Sequence, residues 1–255
     1  MASWFLIAAP LAIAGLAAVL FALGSTLTTR PNRALPLVRA GGIVVAVVVA
    51  GFALVTAATT LVADTVTASF PVQTLPLEAP PGVDFLRGPA AAIVSGGLDH
   101  ATAQLTGLSI ATRALLASGT LLWAAMIVVV ALTVARLASS VVAGGAFRPG
   151  AARAFTVSAV AVFVGGGLSS MLTQLGEWRV SDEALRVEGW GYTGSAAPTS
   201  LSDLGWPDPA LFLLTFEWWP LLIAFALAVV GLAFRAGELL RARAESAERD
   251  AEGLV

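Results

Sequence analysis

Glu217 is the ionisable side chain of this 255-residue sequence that lies inside an otherwise apolar stretch, which runs from Pro209 to Phe234. An acid within a membrane segment commonly pairs with a cation or carries a proton. If the span begins several residues earlier, Glu217 lies about 10 Å below the membrane surface. If Trp218 and Trp219 mark the aromatic belt instead, Glu217 lies at the outer surface, and residues 211–216 lie flat or pack beneath the outer loops. We favour the second interpretation because paired Trp residues prefer the membrane interface.

The other candidates for catalysis or metal binding are isolated in the sequence. His100 is the single histidine and follows Asp99, and one imidazole in a chain without Cys does not make a zinc site. Ser169 and Ser170 lie in an apolar run, and the chain has no Gly-x-Ser-x-Gly elbow and no Lys for a Ser–Lys pair. We therefore expect no enzymatic activity, no cofactor and no metal.

The composition explains this scarcity of reactive groups. Of all residues, 58% are hydrophobic and 12% are charged, whereas a soluble globular domain has about 25% charged residues. Disorder is excluded as well, because it requires low hydrophobicity and a high net charge, and the formal charge here is -2. The composition predicts a protein of the lipid bilayer.

Runs without charge locate the membrane segments, since a helix needs about 20 residues to cross the hydrocarbon. The sequence predicts an all-α transmembrane bundle of five helices: a core of four and an additional amino-terminal helix, read as a retained span rather than a signal peptide. The predicted spans are residues 4–24, 40–63, 114–135, 154–176 and 211–235. Residues 1–39 thus form the added helix and its loop, residues 40–235 the core, and residues 236–255 a charged helical tail.

The Arg residues predict the orientation of these spans, because basic loops stay in the cytoplasm. Ten of the 14 Arg residues fall in the first and third loops and in the tail, against five acids, all in the tail. The other two loops hold four Arg residues and eleven acids, if Glu217 is counted outside. The sequence therefore predicts an outer amino terminus and a cytoplasmic carboxyl terminus.

The two outer loops, residues 64–113 and 177–210, are long enough to fold outside the bilayer, and we expect them to contact each other. Thr67–Leu77 is rich in β-branched residues and is broken by prolines, which is typical of an edge strand. Ala184–Tyr192 alternates apolar and polar residues and predicts a second strand, whereas the Ala-rich Gly88–Leu108 suits a short helix. A small β-containing extracytoplasmic cap is expected from these loops.

One side of the fourth span has little side-chain volume, because it carries Gly165, Gly166 and Gly167. Small residues let membrane helices approach closely, so a helix-packing role is our interpretation. The alternative is that the helix is unwound at these glycines and that the unwound backbone lines a substrate site, as in transporters.

The loop between residues 136 and 153 has a recognisable order of residues. Gly144, Phe147 and Pro149 form a Gly-x-x-Phe-x-Pro turn between an Arg-Leu pair and Arg153. This resembles the central loop of a bacterial multi-pass membrane family known only as a domain of unknown function (domain of unknown function 2975). Gly and Ala follow the turn here, where the family commonly has a polar Asn.

The tail extends this resemblance. Phe234, Gly237 and Leu240 match the family ending, in which Phe-x-x-Gly-x-x-Leu leads into a short charged helix. The resemblance covers roughly residues 40–255 and leaves the first helix as an addition. It implies a bacterial cell membrane, inner or sole, and a regulatory partnership with a small helix-turn-helix regulator of the kind often encoded beside family members. The resemblance implies no enzymatic activity.

Two functions are therefore weighed. The first is a non-enzymatic regulatory or accessory membrane protein, with the lipid bilayer and a helix-turn-helix regulator or another membrane protein as partners. Direct nucleic-acid binding is not expected, because the loops and tail lack a clustered basic patch. The second is a small transporter or permease subunit that uses residues 165–167 and Glu217.

Overall fold

Four helical stretches of the chain are long and apolar enough to cross a membrane in the computed structural model, which describes residues 31–76, 97–142, 150–191 and 206–252. The helices are α1 (Pro31–Val62), α2 (Ile110–Val142), α3 (Ala151–Val160), α4 (Gly166–Leu185) and α5 (Trp219–Glu252). The π-helical turn Ala161–Gly165 joins α3 to α4, so that these two form one apolar stretch. The four predicted core helices are thereby confirmed, whereas the predicted helix at residues 4–24 lies outside the described residues.

Small residues face inward and large ones outward along these helices. In α1 the buried positions include Ala46, Ala53 and Ala57, while Val47 and Val48 are exposed. This is the reverse of a water-soluble helix. It suits a membrane, where lipid solvates the large aliphatic side chains and small residues let the backbones approach.

The contacts divide the chain into two units. Among the described residues, the helical unit comprises residues 31–58, 118–142, 150–171 and 216–252. The sheet unit comprises residues 59–76, 97–117, 172–191 and 206–215. In the helical unit, a Cβ added at Gly42 would lie 2.8 Å from the Ala131 carbonyl oxygen, so α1 and α2 meet at backbone distance. The buried hydroxyl of Ser158 donates to the Thr133 hydroxyl over 2.7 Å and joins α3 to α2.

The sheet unit is built on an antiparallel pair of strands, β1 (Thr65–Pro76) and β2 (Gly97–Thr106). The register runs from Thr65 opposite Thr106 to Pro71 opposite His100, and then shifts before Leu75. Successive side chains of a strand point to opposite faces. The alternate β1 residues accordingly enter one buried cluster, which consists of Val66, Ala68, Phe70, Val72, Leu108, Val180 and Leu185.

The loops 64–113 and 177–210 contact each other in their described parts, as predicted. Val72 and Pro209 form an isolated antiparallel bridge, and the Gln73 backbone N–H donates to the Asp208 carbonyl over 3.0 Å. The loops therefore share backbone hydrogen bonds, although only the first contributes a strand pair within the described residues.

Two predictions of local structure in these loops were wrong. The described part of Gly88–Leu108 contains strand β2 rather than a short helix, because its small Ala side chains alternate and pair with β1. Ala184–Tyr192 is not a strand in its described part: α4 continues to Leu185, and residues 186–191 have no regular structure. Burial of Val180 and Leu185 in the sheet unit holds that last turn in the helix.

The helix ends also differ from the charge-free runs. The last helix begins at Trp219 and not near residue 211, because Pro220 is tolerated only in the first turn. α2 begins at Ile110 and α4 ends at Leu185, so both extend beyond their apolar runs into the sheet unit. The predicted continuation of the last helix into the charged tail is confirmed as far as Glu252.

Candidate functional site

Glu183, near the end of α4, holds the start of α2 in the sheet unit. Its carboxylate accepts hydrogen bonds from the Ser109 backbone N–H at 2.9 Å, the Ser109 hydroxyl at 2.7 Å and the Thr112 hydroxyl at 2.6 Å. The Ser109 hydroxyl also accepts from the Thr112 backbone N–H at 3.3 Å, as a helix-capping side chain does. Because the first turn of a helix carries unsatisfied N–H groups and a partial positive charge, an acid is well placed there.

Arg113 binds the carboxyl end of a helix, whereas Glu183 binds the amino end of one. Its Nη1 donates to the Ala63 carbonyl oxygen at 2.6 Å, just beyond the last residue of α1, and its Nε donates to the Leu108 carbonyl at 3.2 Å. A cation near the carboxyl end of a helix satisfies free carbonyl groups and the partial negative charge. We call Ser109, Thr112, Arg113 and Glu183 the helix-end cluster.

The helix-end cluster has the character of a structural joint. Glu183 and Arg113 bind helix ends and the adjoining backbone. Within the described ranges there is no group of three or more His, Cys, Asp or Glu residues placed to hold a metal ion. This cluster was not predicted from the sequence. Ser109 before an apolar run signals a helix start, but nothing local pointed to Glu183.

Glu217 lies outside any helix, two residues before α5 begins. Its exposed carboxylate accepts a hydrogen bond from the Trp219 indole Nε1 at 2.5 Å. Phe216 and Trp218 pack edge to face with their ring centroids 4.9 Å apart. An acid that precedes the helix and is surrounded by aromatic rings agrees with the interfacial interpretation rather than with a deeply buried proton carrier.

Residues 211–216 form an exposed, largely apolar segment without regular secondary structure. Leu211 is 84% exposed and Leu213 is 78% exposed. In the sheet unit, Gln174 holds this segment through three hydrogen bonds of 2.8–2.9 Å to the backbone and hydroxyl of Thr215. Non-helical backbone is not tolerated facing hydrocarbon, because its polar groups would be unsatisfied. The segment therefore suits a membrane interface or a protein contact.

The three glycines of the fourth span do not behave alike. A Cβ added at Gly165 would meet the Met126 Cβ at 3.4 Å, and one at Gly166 would meet the Pro220 Cβ at 3.0 Å. These two glycines therefore lie at helix contacts. Gly167 contacts no helix of the described residues, since an added Cβ would meet no described atom within 4 Å. The helix widens by one π turn immediately before Gly166 but is not unwound.

The remaining reactive candidates have local partners. His100 lies on β2 with its Nδ1 3.3 Å from a carboxylate oxygen of the adjacent Asp99, and both side chains are exposed. Ser169 is buried and donates to the Gly119 carbonyl oxygen at 2.8 Å, so its hydroxyl serves a contact between α4 and α2.

The family-like residues are only partly described. Gly144, Phe147 and Pro149 lie outside the described residues, and Arg153 is exposed on α3. In the tail, the Phe234 ring packs on Phe155 with centroids 5.1 Å apart. Gly237 is half-buried, and Leu240 is 64% exposed.

Comparison with known proteins adds no relative: no protein-family model, no curated protein and no solved structure matches the chain.

Proposed function

We propose that this chain is a non-enzymatic, multi-pass protein of a bacterial cell membrane that acts as a regulatory or accessory partner of another protein. Its four long apolar helices fit membrane insertion. The proposal includes the fifth, amino-terminal span, an outer amino terminus, a cytoplasmic carboxyl terminus and an extracytoplasmic position for the sheet unit. The distribution of Arg residues supports this orientation.

The observation that most supports a protein partner is the exposed apolar surface of the tail helix. α5 continues beyond Arg235 as far as Glu252, and the Phe155–Phe234 ring contact fixes it to α3. Leu239 and Leu240 are both exposed on this continuation, with the charged residues Glu238 and Arg241 on either side of them. Adjacent exposed leucines on an anchored, solvated helix are the kind of surface that docks in a groove of a partner protein.

The proposed partner is a small helix-turn-helix regulator, held at the membrane by this tail. The support is the resemblance of the loop and tail motifs to the family of unknown function, together with the cytoplasmic position proposed for Leu240. Regulation would then act through the partner, which itself contacts nucleic acid, while this chain does not.

Copurification from native membranes in a mild detergent tests the proposal. A helix-turn-helix regulator should be recovered with the wild-type protein. The double variant Leu239→Gln/Leu240→Gln should reduce that recovery about fivefold, the equivalent of roughly 1 kcal/mol of binding energy. Ala242→Gln is the matched control, because it adds the same side chain at another exposed position of the tail. A preparation that is reproducibly free of any protein partner contradicts the proposal.

A small transporter or permease subunit is the second candidate, and the π-helical turn beside Gly165 and Gly166 is the observation that favours it. Such turns are frequent at functional sites in helices. In this function Glu217 would bind the transported ion or solute. A Glu217→Gln variant that leaves flux into vesicles unchanged counts against transport, whereas a strong loss of flux supports it.

A further inference from the structure

A cavity of about 680 Å³ opens in the helical unit between the end of α2 and the start of α3. It has the size of a small-molecule site. Its walls are largely apolar, with Thr133, Arg136 and Arg153 as the polar side chains that line it. The described lining residues are Val129, Leu132, Thr133, Arg136, Leu137, Gly150, Ala151, Arg153, Ala154, Phe155 and Val157.

The two guanidinium groups give the cavity a positive charge that no described lining residue opposes. None of the described residues around it is an acid. Among the ion pairs of the described chain, neither Arg136 nor Arg153 takes part in one. Arg153 also lines the smaller neighbouring cavity of about 350 Å³, together with Arg235 and Glu238. There the Glu238 carboxylate accepts a hydrogen bond from the Ala152 backbone N–H at 3.4 Å. The larger cavity is therefore complementary to an anion.

The apolar walls restrict what kind of anion fits. Val129, Leu132 and Val157 belong to helices apolar enough to span a membrane. The two Arg residues lie near the ends of those apolar runs, at the level expected for lipid headgroups. A free inorganic anion would use the guanidinium groups and leave these walls in contact with water, whereas a lipid would cover them.

We infer that this cavity binds an anionic phospholipid. The phosphate ester contacts Arg136 and Arg153, and the first part of an acyl chain lies along Leu132 and Val157. Guanidinium groups match phosphate oxygens through paired N–H donors, and basic pockets between membrane helices on the cytoplasmic side suit such headgroups. The inference rests on the proposed membrane orientation but not on the accessory role.

Lipid binding to the full-length protein in detergent tests the inference, with phosphatidylglycerol, phosphatidylcholine and inorganic phosphate as separate probes. Phosphatidylglycerol should raise the thermal midpoint and remain bound in native mass spectra, while the other two should not. Arg136→Gln/Arg153→Gln should weaken phosphatidylglycerol binding about tenfold or more. Arg243→Gln, which removes the same charge from the tail, should leave binding unchanged.

A second variant tests the apolar part of the cavity independently of the two Arg residues. Leu132→Trp keeps both Arg residues but fills the apolar part, and it should also reduce phosphatidylglycerol retention. Equal binding of phosphatidylcholine, full protection by inorganic phosphate alone, or an equal loss in Arg243→Gln would each overturn the inference. Partner recovery should persist in the Arg136→Gln/Arg153→Gln variant, so a failed lipid site and a failed accessory role give different results.

Discussion

Single polar side chains in this protein bind helix ends far away in the sequence. Glu183 accepts three hydrogen bonds at the first turn of α2, and Arg113 donates to the carbonyl group that follows α1. In a chain with only 12% charged residues, these groups stabilise structure at helix ends. At the residue scale, the described contacts of Glu183 and Arg113 cap helix ends.

Replacing Glu183 by Ala should lower stability. The variant leaves the Ser109 N–H and the first turn of α2 without their acceptor, and losing a cap costs about 1–2 kcal/mol. The expected result is a lower thermal midpoint of the purified protein in detergent. Glu188→Ala is the control, because it removes the same charge at an exposed position beyond α4. Equal midpoints for the two variants would show that the carboxylate at residue 183 does not cap α2.

Small residues set the spacing of the helices. In α2 the buried residues Ala117, Ala124, Ala131 and Ala138 recur at seven-residue intervals, the repeat of a left-handed helix contact. Gly42 of α1 meets this face at Ala131 and Ala135. At the element scale, small side chains determine which helix faces meet. Burying a large apolar residue between helices gains little in a membrane, because lipid already solvates it.

Gly42→Ala should force α1 and α2 apart. The added Cβ would lie 2.8 Å from a backbone carbonyl oxygen, which does not move out of the way as a flexible side chain does. Overpacking of this kind costs about 1–3 kcal/mol. Stability measured by unfolding in mixed detergent micelles should fall by that amount.

Gly51→Ala is the matched control in the same helix, because its added Cβ would meet no described atom within 4 Å. It should leave stability unchanged or raise it slightly, since Ala is the better helix former. Equal destabilisation by both substitutions would mean that residue 42 does not lie at a helix contact.

The total charge of the chain is near zero, but its basic and acidic residues are concentrated in different loops. The formal charge is -2, yet basic residues concentrate in the first and third loops and acids in the second and fourth. The Arg residues predict the membrane topology, whereas acids contribute little to it. At the scale of the molecule, the Arg residues therefore predict the side on which each loop and the tail lie.

Cysteine labelling of intact cells tests that topology without background, because the native chain has no Cys. Ser69→Cys on β1 and Ser246→Cys in the tail both occupy exposed positions. A membrane-impermeant maleimide should label residue 69 in intact cells and residue 246 only after the membrane is opened. The reverse pattern would invert the proposed orientation.

Much of the helical architecture was predictable because hydrocarbon imposes a simple rule on sequence. Spanning helices need long runs without charge, and four such runs correspond to the observed helices. Boundaries were less predictable. The start at Trp219 depends on Pro220, and the extension to Leu185 depends on burial against strand β1, which a charge count does not register.

The composition indicated a membrane protein, and the charge-free runs predicted the four described helices, because hydropathy is readable locally. The lengths of loops 64–113 and 177–210 led to the expectation that these loops contact each other. Only the tertiary structure decided that Gly88–Leu108 supplies a strand, that Gly167 stands apart from Gly166, and that Glu183 reaches Ser109. It also brought Arg136 and Arg153 to one cavity. The physical reason is that strand pairing, helix rotation and long-range hydrogen bonds join residues distant in the chain, whereas hydropathy is a local property.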